Sequence, residues 1–182
     1  MFRRSLYIII MLISLCLFGC TPKLENQIAD YLSAETQIAE AANYNIRFHL
    51  PRDWYEEPIK TWDLHYTNDY SWFNAYTYKC IDLAKDETPM DKFENHNNYL
   101  VGIRDNFEEV IDGDVELLNN EFVTSKLFSG EKDGVKNWYY CALVDFGENK
   151  DFAWVLFTGI PSYMQTNFEM YNDILNSAKI ID

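Results

Sequence analysis

Alternating hydrophobic and polar residues predict two half-buried strands early in the chain, at residues 45–50 and 62–67. Pro51 ends the first of them, because proline cannot donate a ladder hydrogen bond. Residues 71–83 differ, since hydrophobic side chains occupy both faces of this predicted strand. Such a strand belongs in the middle of a sheet that is covered above and below. The inward positions of the two half-buried strands are Ile46, Phe48, Leu50, Trp62, Leu64 and Tyr66.

The second half of the chain repeats this pattern in short segments separated by turn residues. The segments form successive hairpins, and the last two are apolar on both faces. They therefore also belong in the covered middle of a sheet. The predicted strands are residues 115–118, 122–128, 135–146 and 152–158, with turns at 131–134 and 147–150.

A helix is predicted where Thr88 can cap a helix amino terminus, Pro89 suits the first turn and Asp91 can complete a capping box. Its apolar stripe continues to Val110, and the Asp-Gly pair at 112–113 ends it.

The chain ends in a second predicted helix, which begins near Ser162 with Gln165 spaced for another capping box. Apolar residues then recur at steps of three and four up to Ala178.

Near the amino terminus, residues 22–43 predict a polar tether that passes into a modest helix.

The element order is three strands, a helix, four strands and a helix, with no internal linker. This order predicts the α+β class, with an antiparallel sheet of about six to seven strands flanked by α-helices. We expect a single globular domain at residues 44–182, preceded by the tether at residues 20–43.

The amino terminus has the pattern of a secretory signal. Arg3 and Arg4 precede an apolar run of about 13 residues, shorter than the roughly 20 that a spanning helix needs. The string Leu-Phe-Gly-Cys at residues 17–20 resembles the lipobox of bacterial lipoproteins, which implies cleavage after residue 19 and a lipid on Cys20. An ordinary signal peptide with an incidental cysteine is the alternative.

A lipidated Cys20 would place the domain outside the cytoplasm, held to a membrane by acyl chains. By resemblance to Gram-negative lipoproteins, Thr21 in place of an aspartate favours the outer membrane. In a Gram-positive cell, the same anchor would lie on the outer face of the plasma membrane.

The chain is strongly acidic, with a formal net charge of −14 from 15 basic and 29 acidic residues. Loss of Arg3 and Arg4 with the signal peptide changes the net charge of the remaining chain to −16. This charge repels phosphate backbones, which excludes nucleic acid as a partner. Colloidal solubility explains the acidity, and a basic partner protein is the alternative.

Several segments resemble the Mog1/PsbP-like family. They are the strand that runs into Leu50-Pro51-Arg52-Asp53-Trp54, the helix that opens at Thr88-Pro89, the late hairpins, and Phe157-Thr158-Gly159-Ile160-Pro161 before the last helix. The resemblance covers residues 44–180. It implies an antiparallel sheet flanked by helices, in an α/β/α sandwich, and a role as a binding or assembly protein. It assigns no functional residue to this chain.

The candidate chemical residues are few. His49 and His65 are predicted on outward strand faces and His96 at the edge of a helix stripe, and none has metal-ligand spacing. We therefore expect no metal and no cofactor. Cys80 and Cys141 are predicted in apolar strands. The sequence leaves two alternatives for them, a disulfide between them or two buried free thiols.

Aromatic residues make up 16% of the chain, and most fall on predicted strand faces and helix stripes. Core packing explains these. The remainder lie in or near early loops and form a candidate binding patch, since exposed aromatic rings are typical of contact surfaces. The patch consists of Trp54, Tyr55, Trp62, Tyr70 and Trp72.

The sequence thus predicts a lipid-anchored envelope protein that acts, without catalysis, as a binding or assembly factor with a protein partner. One alternative is an immunity lipoprotein that neutralises a basic toxin. Another is an envelope hydrolase whose site is assembled only in the fold, which predicts a cavity containing an acid or histidine with a displaced pKa.

Overall fold

The structure, a computed structural model, describes residues 35–41, 46–110 and 115–181. The chain divides into two units after Gln37, and the fold below is that of the second, Ile38–Asp182, together with Thr36 and Gln37, which begin its first strand. The predicted signal peptide, Cys20 and most of the tether lie outside the described residues. None of the helices in the described ranges is long and apolar enough to cross a membrane.

Strands dominate the described residues, and three helices accompany them. The strands are β1 (Thr36–Glu40), β2 (Ile46–Pro51), β3 (Tyr55–Glu56), β4 (Leu64–Thr67), β5 (Ser71–Tyr78), β6 (Asp105–Glu109), β7 (Val123–Lys132), β8 (Val135–Asp145), β9 (Phe152–Gly159) and β10 (Lys179–Ile180). The helices are α1 (Pro89–Ile103), α2 (Pro161–Thr166) and α3 (Phe168–Asn176), and a short 3₁₀ turn covers Cys80–Asp82.

Seven of these strands form one antiparallel sheet with the order β3-β4-β5-β9-β8-β7-β6. The predicted antiparallel α+β fold is therefore confirmed. A second sheet of three strands has the order β1-β2-β10. The central position of β5, β8 and β9 agrees with their apolar residues on both faces.

Side chains alternate between two buried clusters along the central strands. On one face, which we call the α1 face, Tyr139, Cys141 and Leu143 of β8 pack with residues of α1. On the other, the α2–α3 face, Tyr140, Ala142 and Val144 pack with residues of α2 and α3. Strand β9 follows the same rule, with Phe152, Trp154 and Leu156 on the first face and Ala153, Val155 and Phe157 on the second.

The hairpin between β7 and β8 has the shortest possible loop, Asp133 and Gly134, between paired Lys132 and Val135. Both loop residues have positive φ, 54° and 77°. A type I′ turn needs positive φ at both central positions, which explains an Asp-Gly pair here.

Helix α1 begins as predicted, with the Thr88 hydroxyl accepting a hydrogen bond from the backbone N–H of Asp91 and the capping box complete. It ends at Ile103, however, and the prediction that its apolar stripe continues to Val110 is wrong. The following residues form the edge strand β6, in which Phe107 stacks on Phe128 at 4.9 Å. A Cβ at Gly130 would come within 2.8 Å of Phe107, so glycine allows this close approach.

Three further elements differ from their predictions. The segment predicted as a strand at 115–118 is not one, because Leu118 donates its N–H to the Tyr140 hydroxyl, and its carbonyl accepts from Ser125 Oγ. The last helix is divided in two at Asn167. Its predicted Ser162–Gln165 capping box is absent, because Pro161 takes the first helical position and leaves Ile160 as the cap.

The predicted helix at residues 22–43 is wrong for its described part, since Thr36–Glu40 is β1. Strand pairing here overrides the helix propensity of alanine and glutamate. Strand β5 stops at Tyr78, five residues before the predicted end at residue 83, so Cys80 lies in the 3₁₀ turn and not in a strand.

Candidate functional site

A cavity of about 560 Å³ lies between α1 and the α1 face of the sheet, and we call it the helix-side cavity. One wall is a stripe of α1, since Lys92, His96, Tyr99 and Ile103 follow each other at steps of four, three and four. The capping box at Thr88 fixes the start of this wall. The lining residues are Trp62, Tyr76, Tyr78, Lys92, Asn95, His96, Tyr99, Leu100, Ile103, Arg104, Trp154 and Leu156.

Four of these rings are almost parallel, and we call them the ring layer: Trp62, Tyr76, His96 and Trp154. The angles between contacting planes are 13° to 24°. The shortest centroid distances are 4.3 Å between His96 and Trp154 and 4.4 Å between Trp62 and Tyr76. These are stacking distances, so the rings cover part of each other's faces and form an ordered aromatic wall.

His96 is held in this wall as a neutral base. Burial lowers its pKa to about 4, and the nearby positive charge of Lys92 adds to the shift. Its Nε2 lies 2.5 Å from the Tyr78 hydroxyl, within hydrogen-bond distance. The predicted edge position of His96 is thus a half-buried one, with the imidazole stacked among rings.

Two cations line the cavity. Lys92 Nζ is 2.8 Å from Glu87 Oε1. Arg104 donates from Nε to the Tyr139 hydroxyl at 2.8 Å and from Nη1 to the carbonyl of Ile103 at 3.0 Å. Among the described residues, no carboxylate lies within 4.0 Å of the Arg104 side-chain nitrogens, so its charge is balanced by neutral acceptors only.

The cavity contains a histidine with a displaced pKa, which is what the hydrolase alternative predicts. The lining contains no serine, threonine, cysteine, aspartate or glutamate among the residues that the structure describes. It offers ring faces, hydroxyl and amide groups and positive charge. Such a mostly apolar cavity with a few polar groups is typical of a small-molecule binding site.

A second candidate surface surrounds the turn between β4 and β5, and we call it the tyrosine surface: Tyr55, Tyr70 and Tyr163. Tyr70 is 60% exposed, and its ring stacks on Tyr163 at 5.2 Å. The Tyr163 hydroxyl accepts a hydrogen bond from Asn68 Nδ2 at 2.8 Å. Tyr55 is 45% exposed and donates its hydroxyl to Asp69.

The turn that carries Tyr70 is held by its own side chains. Asn68 Oδ1 accepts from the backbone N–H groups of Tyr70 and Ser71, at 3.2 and 2.9 Å. Thr67 Oγ1 accepts from the N–H of Asp69 at 3.1 Å and donates to the carbonyl of Ser71 at 2.9 Å. Tyr70 is therefore presented on a fixed turn, in which Asp69 adopts a positive φ of 70°.

Solved structures of similar shape identify the fold. The Ran-binding protein Mog1p of Saccharomyces cerevisiae matches with a TM-score of 0.57, over 81% of this chain and 96% of that one, at 8% identity. LpqN, involved in cell envelope biogenesis of Mycobacterium tuberculosis, matches at 0.54, over 85% and 97%, with 15% identity. Cyanobacterial PsbP from Synechocystis matches at 0.50, over 81% and 93%, with 14% identity. The fold is Mog1/PsbP-like.

At these identities, the Mog1/PsbP-like likeness establishes the fold and assigns no residue role. It confirms the architecture that the sequence resemblance implied. No family model matches the chain, and no curated protein matches it.

The Mog1/PsbP-like fold separates the members of the predicted aromatic patch. Trp54 is 2% exposed and packs in the core of the α2–α3 face, so it belongs to no surface patch. Trp62 lies in the ring layer, and Trp72 is half-buried on β5. Tyr55 and Tyr70 are exposed and lie together at the tyrosine surface.

The other two histidines, His65 and His49, lie outside the cavity and are more buried than their predicted outward positions suggest. His65 was predicted to face outward but is only 8% exposed, with ring nitrogens 2.5 Å from Asn74 Oδ1 and 3.1 Å from Glu57 Oε2. Asn74, its paired neighbour on β5, gives the buried ring a hydrogen-bond partner. His49 is half-buried, with its backbone N–H bonded to Ser177 Oγ. Within the described ranges, no three His, Cys, Asp or Glu side chains could hold a metal ion.

Both described cysteines are free thiols, so the structure contains no Cys80–Cys141 disulfide. Cys141 is completely buried on the α1 face, and burial raises the pKa of its thiol well above the ordinary value. Cys80 lies in the 3₁₀ turn, where its backbone N–H bonds to Asp151. A buried thiol with a raised pKa is a packing residue.

Sequence reasoning missed Tyr76, Tyr78, Lys92, Tyr99, Arg104 and Trp154 as cavity residues, and Tyr163 as part of the tyrosine surface. The cavity wall on α1 could have been found from the sequence. Its residues from Lys92 to Ile103 have helical spacing, and polar members of this set interrupt the apolar stripe of the helix. No local signal joins Tyr70 to Tyr163, since 92 positions separate them and only the fold makes them neighbours.

Proposed function

We propose that this chain is a lipid-anchored envelope protein that binds a protein partner through the tyrosine surface, and acts as a binding or assembly factor without catalysis. The stacked, exposed Tyr70 on its fixed turn is the observation that carries the proposal. A tyrosine loses little conformational entropy when it is already held in place, and it contributes both apolar area and a polar hydroxyl.

The charge around this surface indicates the chemistry of the partner. The hydrogen bond to Asp69 raises the pKa of the Tyr55 hydroxyl, and burial and the negative charges of Asp69 and Glu57 add to this shift. The chain as a whole has a net charge of −14. We therefore propose a partner with a basic contact surface, which such a field would attract and orient.

The fold supports a binding role by analogy only. Mog1p is described as Ran-binding and LpqN as involved in cell envelope biogenesis, and both have this fold. The envelope location in the proposal rests on the resemblance of residues 17–20 to a lipobox, with the lipid on Cys20.

A crosslinking pull-down from membranes tests the partner surface. We expect the wild-type chain to recover a discrete partner and Tyr70→Ser to lose it, because the stacked ring is the centre of the surface. Tyr99→Ser is the matched control, since Tyr99 is 65% exposed but lies on α1. Equal recovery with Tyr70→Ser and the wild-type chain would contradict the proposal, provided that both unfold at the same temperature.

Fractionation of cells that produce Cys20→Ala tests the anchor separately. We expect the wild-type chain in the membrane fraction with a mass increase from acyl chains at its amino terminus. The variant should lack these chains. An unmodified Cys20 in the processed wild-type protein would contradict the anchor and leave the partner surface to be judged by the pull-down.

A further inference from the structure

We propose that the helix-side cavity binds a small anion that carries a flat aromatic ring, such as an aromatic carboxylate. This site lies on α1 and the α1 face of the sheet, and the proposal does not depend on the partner surface at Tyr70. Two properties of the cavity lead to it: parallel ring faces, and local charge opposite in sign to that of the whole chain.

The ring layer accounts for the aromatic part of the ligand. Trp62, Tyr76 and His96 are half-buried and nearly parallel, with neighbouring centroids 4.4 and 5.1 Å apart. A flat ring that enters the cavity meets a wall already ordered by its own stacking, so no side chain has to be immobilised for the contact. Tyr99, which is 65% exposed, adds a further ring from α1.

Local charge accounts for the acidic part. The chain has nearly twice as many acidic residues as basic ones, 29 against 15, yet the lining contains Lys92 and Arg104 and, among the described residues, no carboxylate. Glu87 compensates Lys92. The described partners of Arg104 are neutral, the Tyr139 hydroxyl and ring and the Ile103 carbonyl, while the carboxylate of Asp63 acts on the Tyr76 hydroxyl at the cavity wall.

A guanidinium is suited to this task. It is planar and presents several N–H donors in a fixed fork that matches the two oxygens of a carboxylate. The hydrogen bonds from Nε to Tyr139 and from Nη1 to Ile103 hold the Arg104 side chain in place before a ligand arrives. His96 contributes a ring face and no charge at neutral pH, since its pKa is about 4.

Size is consistent with the same class of ligand. The cavity volume of about 560 Å³ falls within the roughly 300–1,000 Å³ of small-molecule sites. A cationic aromatic ligand would also find ring faces here, but it would approach Lys92 and Arg104 without a lining carboxylate to offset them. The sign of the ligand charge is therefore the discriminating property.

Calorimetric titration with three naphthalenes of equal ring size tests the proposal: 2-naphthoate, neutral 2-naphthamide and cationic 2-naphthylmethylammonium. The full chain is used in nanodiscs, with empty nanodiscs as the baseline. We expect 2-naphthoate to bind at least tenfold more tightly than the other two. Equal binding of all three, no binding, or tightest binding of the cation would overturn the proposal.

Variants locate the interaction. Arg104→Met should weaken 2-naphthoate binding at least tenfold and leave 2-naphthamide unchanged, whereas Arg104→Lys should lose less because it keeps the charge and loses the fork. Lys150→Met removes an exposed cation from the turn before β9 and is the matched control. Unchanged 2-naphthoate binding in Arg104→Met, or an equal loss in Lys150→Met, would contradict the assignment. A thermal unfolding curve for each variant confirms that it is folded.

Discussion

The two faces of the seven-stranded sheet are built from the same alternation of side chains but are closed to different extents. On the α2–α3 face, Phe157 contacts three aromatic rings and is completely buried. On the α1 face, Trp154 is buried too, but its stacked neighbours Trp62 and His96 are only half-buried and line a cavity of about 560 Å³.

The difference follows from what covers each face. Within the described part of the chain, two helices and a three-stranded sheet accompany the first core, whereas a single helix covers the second. The stripe of α1 from Lys92 to Ile103 is also partly polar, so it lies beside the rings without filling the space between them. A face that is completely packed stabilises the fold, and a face that is partly packed can stabilise it and also hold a ligand.

The largest effect expected from this comparison is on stability at the closed face. Phe157→Ala should lower the free energy of unfolding by about 3–5 kcal/mol, because it removes a fully buried ring and leaves a void. Tyr99→Ser on the cavity wall should cost less than about 1 kcal/mol, since Tyr99 is largely exposed. Urea denaturation measures both, and equal losses would remove the distinction between the faces.

The next effect is on the pH dependence of stability. The folded chain keeps His96 neutral down to a pH of about 4, while the unfolded chain protonates it near its ordinary pKa of 6.5. Stability is therefore lost as the pH falls from about 6.5 to about 4. We expect about 1–2 kcal/mol from His96, after allowance for its partial exposure.

His96→Gln measures this contribution. The loss of unfolding free energy between pH 7 and pH 4 should be smaller in the variant by that amount. Hydrogen bonds lower the pKa values of Glu87 and Asp91, so the contribution of these two residues to the unfolding free energy also falls in acid. Both residues are present in the wild-type protein and in the variant, so this contribution cancels in the comparison. Identical pH profiles would show that the histidine is not held neutral in the ring layer.

A smaller effect is expected at the start of α1. Thr88→Ala removes the hydroxyl that accepts from the Asp91 N–H and should cost about 1 kcal/mol. Because α1 is one wall of the helix-side cavity, the same variant should also weaken 2-naphthoate binding. Chemical denaturation measures the first effect and calorimetric titration the second. A loss of stability at unchanged affinity would show that the Thr88 cap does not help to shape the cavity.

The smallest effect on stability is expected at the tyrosine surface. Tyr70→Ser should change the unfolding free energy by less than about 0.5–1 kcal/mol, because the ring is 60% exposed and only its stacking on Tyr163 is lost. A melting temperature much lower than that of the wild-type protein would mean that Tyr70 supports the fold and is not available for contact with a partner.

The sheet could be predicted from sequence because its signals are local. Alternation at residues 45–50, the Asp133-Gly134 turn and the Thr88 capping box each depend on residues that are close in the chain. The end of α1 could not be predicted in this way. The residues from Asp105 onward have a helical stripe, and pairing of β6 with β7 decides their conformation.

The candidate sites were predictable only in part, for the same reason. Tyr55 and Tyr70 were identified as exposed, but Trp54 looked equally loop-like and is buried by contacts with the α2–α3 face. The ring layer joins Trp62, Tyr76, His96 and Trp154 from four elements or loops, and no spacing along the chain predicts that they meet.

The five tryptophans allow one direct test of the division between the faces, because the described structure places Trp62 and Trp154 at the cavity and Trp54 and Trp138 in the opposite core. Indole N–H signals in a proton–nitrogen correlation spectrum can be followed as 2-naphthoate is added to the protein. We predict that the signals of Trp62 and Trp154 move in proportion to occupancy, while those of Trp54 and Trp138 stay in place. Shifts of all four signals, or none at Trp62 and Trp154, would contradict the claim that the α1 face holds the ligand and the α2–α3 face only supports the fold.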